Sequence, residues 1–277
     1  MKKYKRGIGN VLINILIDDS LFQSEYKVLS SLFRSYSLPT EKLAEYEKEY
    51  FYYIFAKNKS KKAKNTYYTI CDSNNNKWIF KLMKNLEKFY AEILNCTVIH
   101  GSCVRVNNKN ILFMGKRWSG KTTLTQYLSI HKNGEYLDDD CIYIVNGLYV
   151  GFGMPLPLRN LTNSHADKFF ISQTTDTDGI IRDLYAPPQY ASYFQTIDIV
   201  AFPQYGADKT NRITKVPQTD AFKKIINNIS GHGEMKTMFL DIKNLVMGCD
   251  CYEIEYSSSD FAHELIFDEV FHNEKIL

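Results

Sequence analysis

Residues Gly115-Lys116-Arg117-Trp118-Ser119-Gly120-Lys121-Thr122 carry the spacing G-x-x-x-x-G-K-[ST]. That spacing has a chemical meaning. Gly115 and Gly120 allow a tight backbone turn, so consecutive N–H groups can converge on phosphate oxygens. Lys121 is placed to reach the outer phosphates of a nucleoside triphosphate, and the Thr122 hydroxyl to bind magnesium. Thr123 follows in the first helical turn and completes the expected nucleotide-binding set, 115–123. Asp138, Asp139 and Asp140 come 16–18 residues after Thr122. Three adjacent carboxylates in an apolar run repel one another and lose hydration unless a cation is near. Magnesium at Thr122 would be that cation, or one carboxylate could act as a base towards an acceptor hydroxyl. His100 lies one strand pair upstream of the glycine loop, where proximity to the phosphates is plausible but not fixed by spacing.

These residues need elements to position them. The run Ile111-Leu112-Phe113-Met114 reads as a buried strand leading into the loop, and TTLTQYLSIHK as a helix ended by Asn133-Gly134. The helix aims its positive N-terminal end at the same phosphates. CTVIHGSCVRVNNKNILFMG predicts two strands around an Asn-Asn-Lys-Asn turn, and EYLDDDCIYIV a further strand with an acidic break. Upstream, residues 76–95 place Trp78, Leu82, Leu86, Phe89 and Ile93 three or four apart, an amphipathic helix. Residues 4–17 and 27–36 read as strands, or as a strand and a short helix. EYFYYIFAK and NTYYTI read as a hairpin around the basic run Lys57–Lys64 (KNKSKKAK). The expected division is residues 1–90, an α+β region with a substrate-recognition role, and 91–277, with the long helix bridging them.

The 277 residues are 44% hydrophobic and 23% charged, an ordinary globular balance. A net charge of +3 is too small to imply a nucleic-acid or membrane partner. The charge is uneven, however. Up to Tyr90 there are 17 Lys and Arg against 9 Asp and Glu, and beyond it 17 against 22. The lysine run is either a solvated loop or a docking patch for an acidic peptide or protein. Six cysteines show no C-x-x-C spacing. Cys249 and Cys251, two apart, favour neither a metal knuckle nor a disulfide framework, and a reducing cytoplasm is the expected compartment. The basic N-terminus has a short apolar part broken by Asn14 and no small-residue cleavage site, so no secretory signal is expected. No segment reaches the roughly 18 apolar residues of a membrane span.

Ile99-His100-Gly101, the strand pair into the loop and Leu137-Asp138-Asp139-Asp140-Cys141-Ile142 resemble the catalytic domain of HPr kinase/phosphorylase. They are still more similar to its shorter relatives associated with peptide modification. Ile197–Phe202, Thr219–Ile229 and Tyr252–Tyr256 resemble the tail of that family, so the resemblance covers residues 95–265. It implies an α/β fold with a P-loop kinase core of the HPr kinase/phosphoenolpyruvate carboxykinase type, beside a smaller N-terminal α+β region. It also implies ATP and Mg2+ as cofactors, and a serine hydroxyl of a peptide or protein as acceptor. Asp139 and Asp140 take the family's acidic pair, one as base and one near the metal. His100 takes its active-site histidine, and Arg159, after Pro155-Leu156-Pro157-Leu158, a phosphate-facing arginine. HPr kinase forms homo-oligomers, so that arrangement stays open here.

The sequence departs from the family in three places. No glycine stands among Lys116, Arg117, Trp118 and Ser119. Pro157 occupies the place of a metal-binding glutamate, with Asp138 the nearest replacement as a ligand. Arg182 is the nearest counterpart of a later arginine-rich loop. The leading expectation is a kinase whose Asp139 accepts the proton of the acceptor hydroxyl. A nucleotide-binding regulator without transfer activity and a small-molecule kinase are the alternatives. A transport ATPase is not expected, because no L-S-G-G-Q follows the loop.

Overall fold

A computed structural model describes residues 1–8, 11–33, 47–55, 65–70, 77–158, 170–176, 178–186, 195–266 and 268. The Lys57–Lys64 run lies outside the described residues. The chain is mixed α/β, and its contacts divide it into two units. One comprises Met1–Leu94 and Gly153–Ala186, the other Asn95–Phe152 and Pro187–Leu277. Where a single boundary near residue 90 is expected, the units interleave along the chain.

The first unit begins with strands β1 (Lys2–Ile8) and β2 (Val11–Ile17), paired antiparallel from Lys2↔Ile17 to Ile8↔Val11. Asp18 caps helix α1 (Asp19–Ser24) by accepting from the Ser20 N–H, and α2 (Tyr26–Leu32) follows. Strands β3 (Lys48–Phe55) and β4 (Thr66–Ile70) complete a sheet of order β1-β2-β3-β4. Both β2–β3 and β3–β4 are parallel. The aromatic runs are therefore not a hairpin, whose two strands would be antiparallel. Helix α3 (Trp78–Leu94) buries Trp78, Leu82, Leu86, Phe89 and Ile93, as its periodicity predicts. Its Phe89 ring lies 4.8 Å from both Tyr52 of β3 and Tyr67 of β4.

The second unit opens with β5 (Thr97–Val106) and β6 (Lys109–Met114). Asn107 and Asn108, with φ of 49° and 63°, form the two-residue turn between them, a conformation that asparagine tolerates. Helix α4 (Lys121–His131), β7 (Glu135–Val145) and β8 (Leu148–Val150) follow. The chain then supplies β9 (Leu156–Leu158), β10 (Phe170–Thr175) and β11 (Ile181–Tyr185) to the first unit, as a sheet of order β10-β11-β9. It returns with β12 (Ile199–Tyr205), β13 (Arg212–Lys215), α5 (Gln218–Ile226), β14 (Ile229–His232), α6 (Met235–Met247), β15 (Asp250–Tyr256) and α7 (Ser259–Leu265).

The described strands of the second unit form an eight-stranded sheet, β13-β15-β12-β6-β5-β7-β8, with β14 also paired to β5. Strands β6, β12 and β15 run parallel. The continuous apolar run of β6 is explained by burial on both faces. Leu112 and Met114 join one core with Ile225 of α5 and Ile242 and Leu245 of α6. Ile111 and Phe113 join another with Leu124 and Leu128 of α4 and Ala262 of α7. No helix among the described residues is long and apolar enough to cross a membrane.

Candidate functional site

Strand β6 delivers the chain to the glycine loop, and α4 carries it away. Gly120 sits at the α4 N-cap with φ +99°, a region that L side chains rarely adopt. No side chain among the described residues caps this helix end, so the first-turn N–H groups keep the hydrogen-bonding capacity that suits an anion. The Ser119 N–H donates to the Lys116 carbonyl at 3.2 Å, and the Tyr205 N–H to the Ser119 carbonyl at 3.2 Å. These bonds shape the loop internally and tie it to the end of β12. Lys116, Arg117, Trp118 and Thr123 are exposed. The Ser119 hydroxyl is buried with no hydrogen-bond partner among the described residues.

Tyr256, the last residue of β15, had no role in the motif reading. Its hydroxyl lies 1.8 Å from where a Cβ on Gly120 would stand. This close approach, added to the positive φ, makes glycine obligatory at 120. Gly120→Ala is expected to destabilise the fold by about 1–3 kcal/mol through backbone strain and overlap. Tyr256→Phe should restore part of that loss. Tyr256→Phe alone should be close to neutral, because its buried hydroxyl has no partner to lose. Thermal denaturation of the two single variants and the double variant checks all three outcomes.

Lys121 is buried and folded back over the loop, its Nζ donating to the carbonyls of Gly115 at 2.9 Å and Lys116 at 3.0 Å. Burial lowers its pKa, and the charges of Asp139 and Asp140 oppose that shift. Thr122 Oγ1 donates to Asp139, with its two carboxylate oxygens at 3.0 and 3.1 Å. Burial first, and then the charge of Asp140, push the Asp139 pKa up to about 7, against the Thr122 hydrogen bond and Lys121. A hydroxyl and a carboxylate are hard oxygen donors, a set suited to Mg2+ rather than to a thiophilic metal.

The acidic strand is explained by register. In the β5–β7 pair, Cys103 faces Asp138, Ser102 faces Asp139 and Gly101 faces Asp140, with a shift in pairing beyond Cys103. Neighbouring residues of a strand point to opposite faces. Asp139 therefore meets Thr122, while Asp138 is buried where it accepts from the Phe152 N–H at 2.7 Å and the Tyr149 hydroxyl at 3.1 Å. Asp138 is thus not brought to Thr122, where a metal-ligand role would require it; hydrogen bonds on the other face hold it. Asp140, with φ +71°, breaks the regular strand and stays partly exposed. Its Oδ1 lies 3.8 Å from His100 Nδ1. The His100 N–H donates to the Asn228 carbonyl at 2.8 Å, which fixes β5 beside the start of β14.

The remaining expected residues fall in the other unit. Arg159 lies outside the described residues. Pro157 sits within β9, paired with Leu184 of β11. Arg182 is bound to Asp176 through Nη2 at 2.7 Å and Nε at 2.9 Å. That pairing gives it a structural role in the β10–β11 turn.

No protein-family model matches the chain, and no curated protein matches its sequence. Among solved structures, the chain is similar to the HPr(Ser) kinase/phosphatase from Coxiella burnetii. The match has 10% identity and a TM-score of 0.32, over 65% of this chain and 93% of that one.

Proposed function

We propose that this protein is an ATP-dependent kinase that transfers the γ-phosphoryl group to a hydroxyl of a peptide or protein, with serine the expected acceptor. One observation carries the reading. The threonine of the glycine loop is hydrogen-bonded to a buried carboxylate of the neighbouring strand, with the loop lysine folded into the same site. A plain strand–turn–helix has no use for a buried lysine and a carboxylate whose pKa is pushed to about 7.

In this proposal the loop N–H groups and Lys121 hold the phosphates. Thr122 and Asp139 are the residues we assign to magnesium, which when bound neutralises phosphate charge. Asp140, partly exposed beside His100, is the carboxylate in reach of an incoming hydroxyl, although sequence alone gave the proton-accepting role to Asp139. The acceptor O–H loses its proton to that carboxylate. Its oxygen forms a bond to the γ-phosphorus, the bond to the β–γ bridging oxygen breaks, and ADP leaves. Most of the catalysis is positioning and charge stabilisation. Arg159 remains in the proposal as a phosphate-facing group, and the Lys57–Lys64 run as the docking site for an acidic substrate.

The decisive experiment incubates the protein with ATP, Mg2+ and polypeptides encoded beside it, and looks by mass spectrometry for added phosphate on a hydroxyl. Nucleotide binding with no transfer to any of them would favour the regulatory alternative. Transfer to a metabolite alone would favour a small-molecule kinase.

Nucleotide binding itself has a built-in reporter. Of the two tryptophans, Trp118 on the loop is 72% exposed and Trp78 in α3 is 5% exposed. In a Trp78→Phe protein, ATP with Mg2+ is expected to change the Trp118 emission and to protect it from a soluble quencher. An emission spectrum unchanged up to about millimolar ATP, a weak limit for such sites, would count against the loop as the binding site.

A further inference from the structure

The two cysteines flanking Asp250 bring their sulfur atoms to 3.7 Å from each other. Cys249 precedes β15 and Cys251 lies within it, and side chains two apart on extended chain leave on the same face. Both sulfurs belong to free thiols. They line a cavity of about 420 Å³ together with Lys215 and Gln218, and Cys249 also lines a second cavity of about 350 Å³. Cys249 is partly exposed, whereas Cys251 is 2% exposed. A small molecule therefore has both a path to the pair and room beside it.

The surroundings favour thiolate chemistry at this pair over the buried Cys96 and Cys103. The Cys249 thiol hydrogen-bonds to Cys251 and lowers the Cys251 pKa, with Lys215 adding to the effect. The same shared proton is correspondingly hard to remove from Cys249. Lys215 is held in place by Asp250, at 2.8 Å. By contrast, burial pushes the Cys96 thiol up to about 12 and the Cys103 thiol well above its usual value. Those two are core thiols.

We propose that Cys249 and Cys251 form a reversible dithiol–disulfide site, oxidised by a small-molecule disulfide that enters the adjoining cavity. One thiolate of the pair attacks a sulfur of that disulfide, forming a mixed disulfide and releasing the first thiol. The second cysteine sulfur attacks the modified cysteine, closes the Cys249–Cys251 bond and releases the other thiol. Two electrons pass from the pair to the oxidant, and the two cysteine protons end on the two released thiols. Closure requires the sulfurs to move from 3.7 Å to a bond of about 2.05 Å. The inference is independent of the kinase reading. The opposite end of the same strand, Tyr256, packs against Gly120.

The test equilibrates reduced full-length protein with glutathione and glutathione disulfide over a series of ratios. Samples are then alkylated under denaturing conditions and mapped by peptide mass spectrometry. The expected result is a peptide carrying both cysteines that lacks two hydrogens and resists alkylation, at ratios where Cys96 and Cys103 are still alkylated. Because the fold holds the sulfurs together, the same oxidation in urea should need a ratio about tenfold more oxidising. Cys249→Ser and Cys251→Ser should each lose the internal disulfide and instead retain glutathione on the remaining cysteine. Complete alkylation of the pair at every ratio would overturn the proposal. So would a bond from either residue to another cysteine, or equal oxidation of folded and unfolded protein. If a serine variant fails to fold, the folded-against-urea comparison of the unmodified protein decides alone.

Discussion

Asp139→Asn is expected to reduce phosphoryl transfer by about 10²–10³-fold, the range found when a group that stabilises transition-state charge is removed, while making the protein more stable above neutral pH. The two effects have one cause. The Asp139 carboxylate is buried beside Asp140, which pushes its pKa from 3.8 to about 7. Between about pH 4 and 7 the folded protein holds a proton on this group that the unfolded chain has already released. The stability it contributes is therefore fully present below about pH 4 and is lost as pH rises through about 7. Asparagine has no charge to lose. Without divalent cations at pH 8, the variant should be more stable by about 1–3 kcal/mol, and its stability should depend less on pH between 5 and 8. Denaturant titrations of both proteins across that range, alongside a transfer assay, check the pair of outcomes. A buried aspartate serving only the fold would give the opposite stability result, since its loss would remove supporting hydrogen bonds.

The second large effect is expected at Lys121. Lys121→Met keeps most of the buried aliphatic volume but removes the cation and its two hydrogen bonds to the Gly115 and Lys116 carbonyls. Transfer should fall by about 10²–10³-fold, equivalent to about 3–4 kcal/mol of transition-state stabilisation. The Trp118 response to ATP should shift to much higher concentration. The fold should survive, because burial already disfavours the charged form of this lysine. Equal transfer by the unmodified protein and the variant would remove Lys121 from the phosphate site and, with it, the main support for the kinase reading. Circular dichroism and thermal denaturation separate the expected loss of transfer from loss of the fold.

The two results are read together. Loss of transfer in both variants, with stability raised in one and preserved in the other, matches a site in which charge is held against the preference of the fold. Such sites are where local rules of stability give way to function.

Local sequence sets the parts whose chemistry is contiguous. The strand–loop–helix around Gly115–Thr122, the Asn107–Asn108 turn and the buried face of α3 were legible, because their hydrogen bonds and periodicity depend on residues a few positions apart. What alternation cannot encode came from long-range packing. An alternating strand reads the same in either direction, so nothing in EYFYYIFAK and NTYYTI distinguished a hairpin from the parallel pair β3–β4. Asp138 and Asp139, as neighbours in a strand, had to face apart. Only the β5–β7 register and the position of α4 turned Asp139 towards Thr122 and Asp138 towards Tyr149 and Phe152. The approach of Tyr256 to Gly120 brings together residues separated by eight strands and three helices of the described residues, a distance no local pattern spans. The loop chemistry was written in neighbouring residues, whereas the partners that give it a carboxylate and a buttress come from strands that only folding sets beside it.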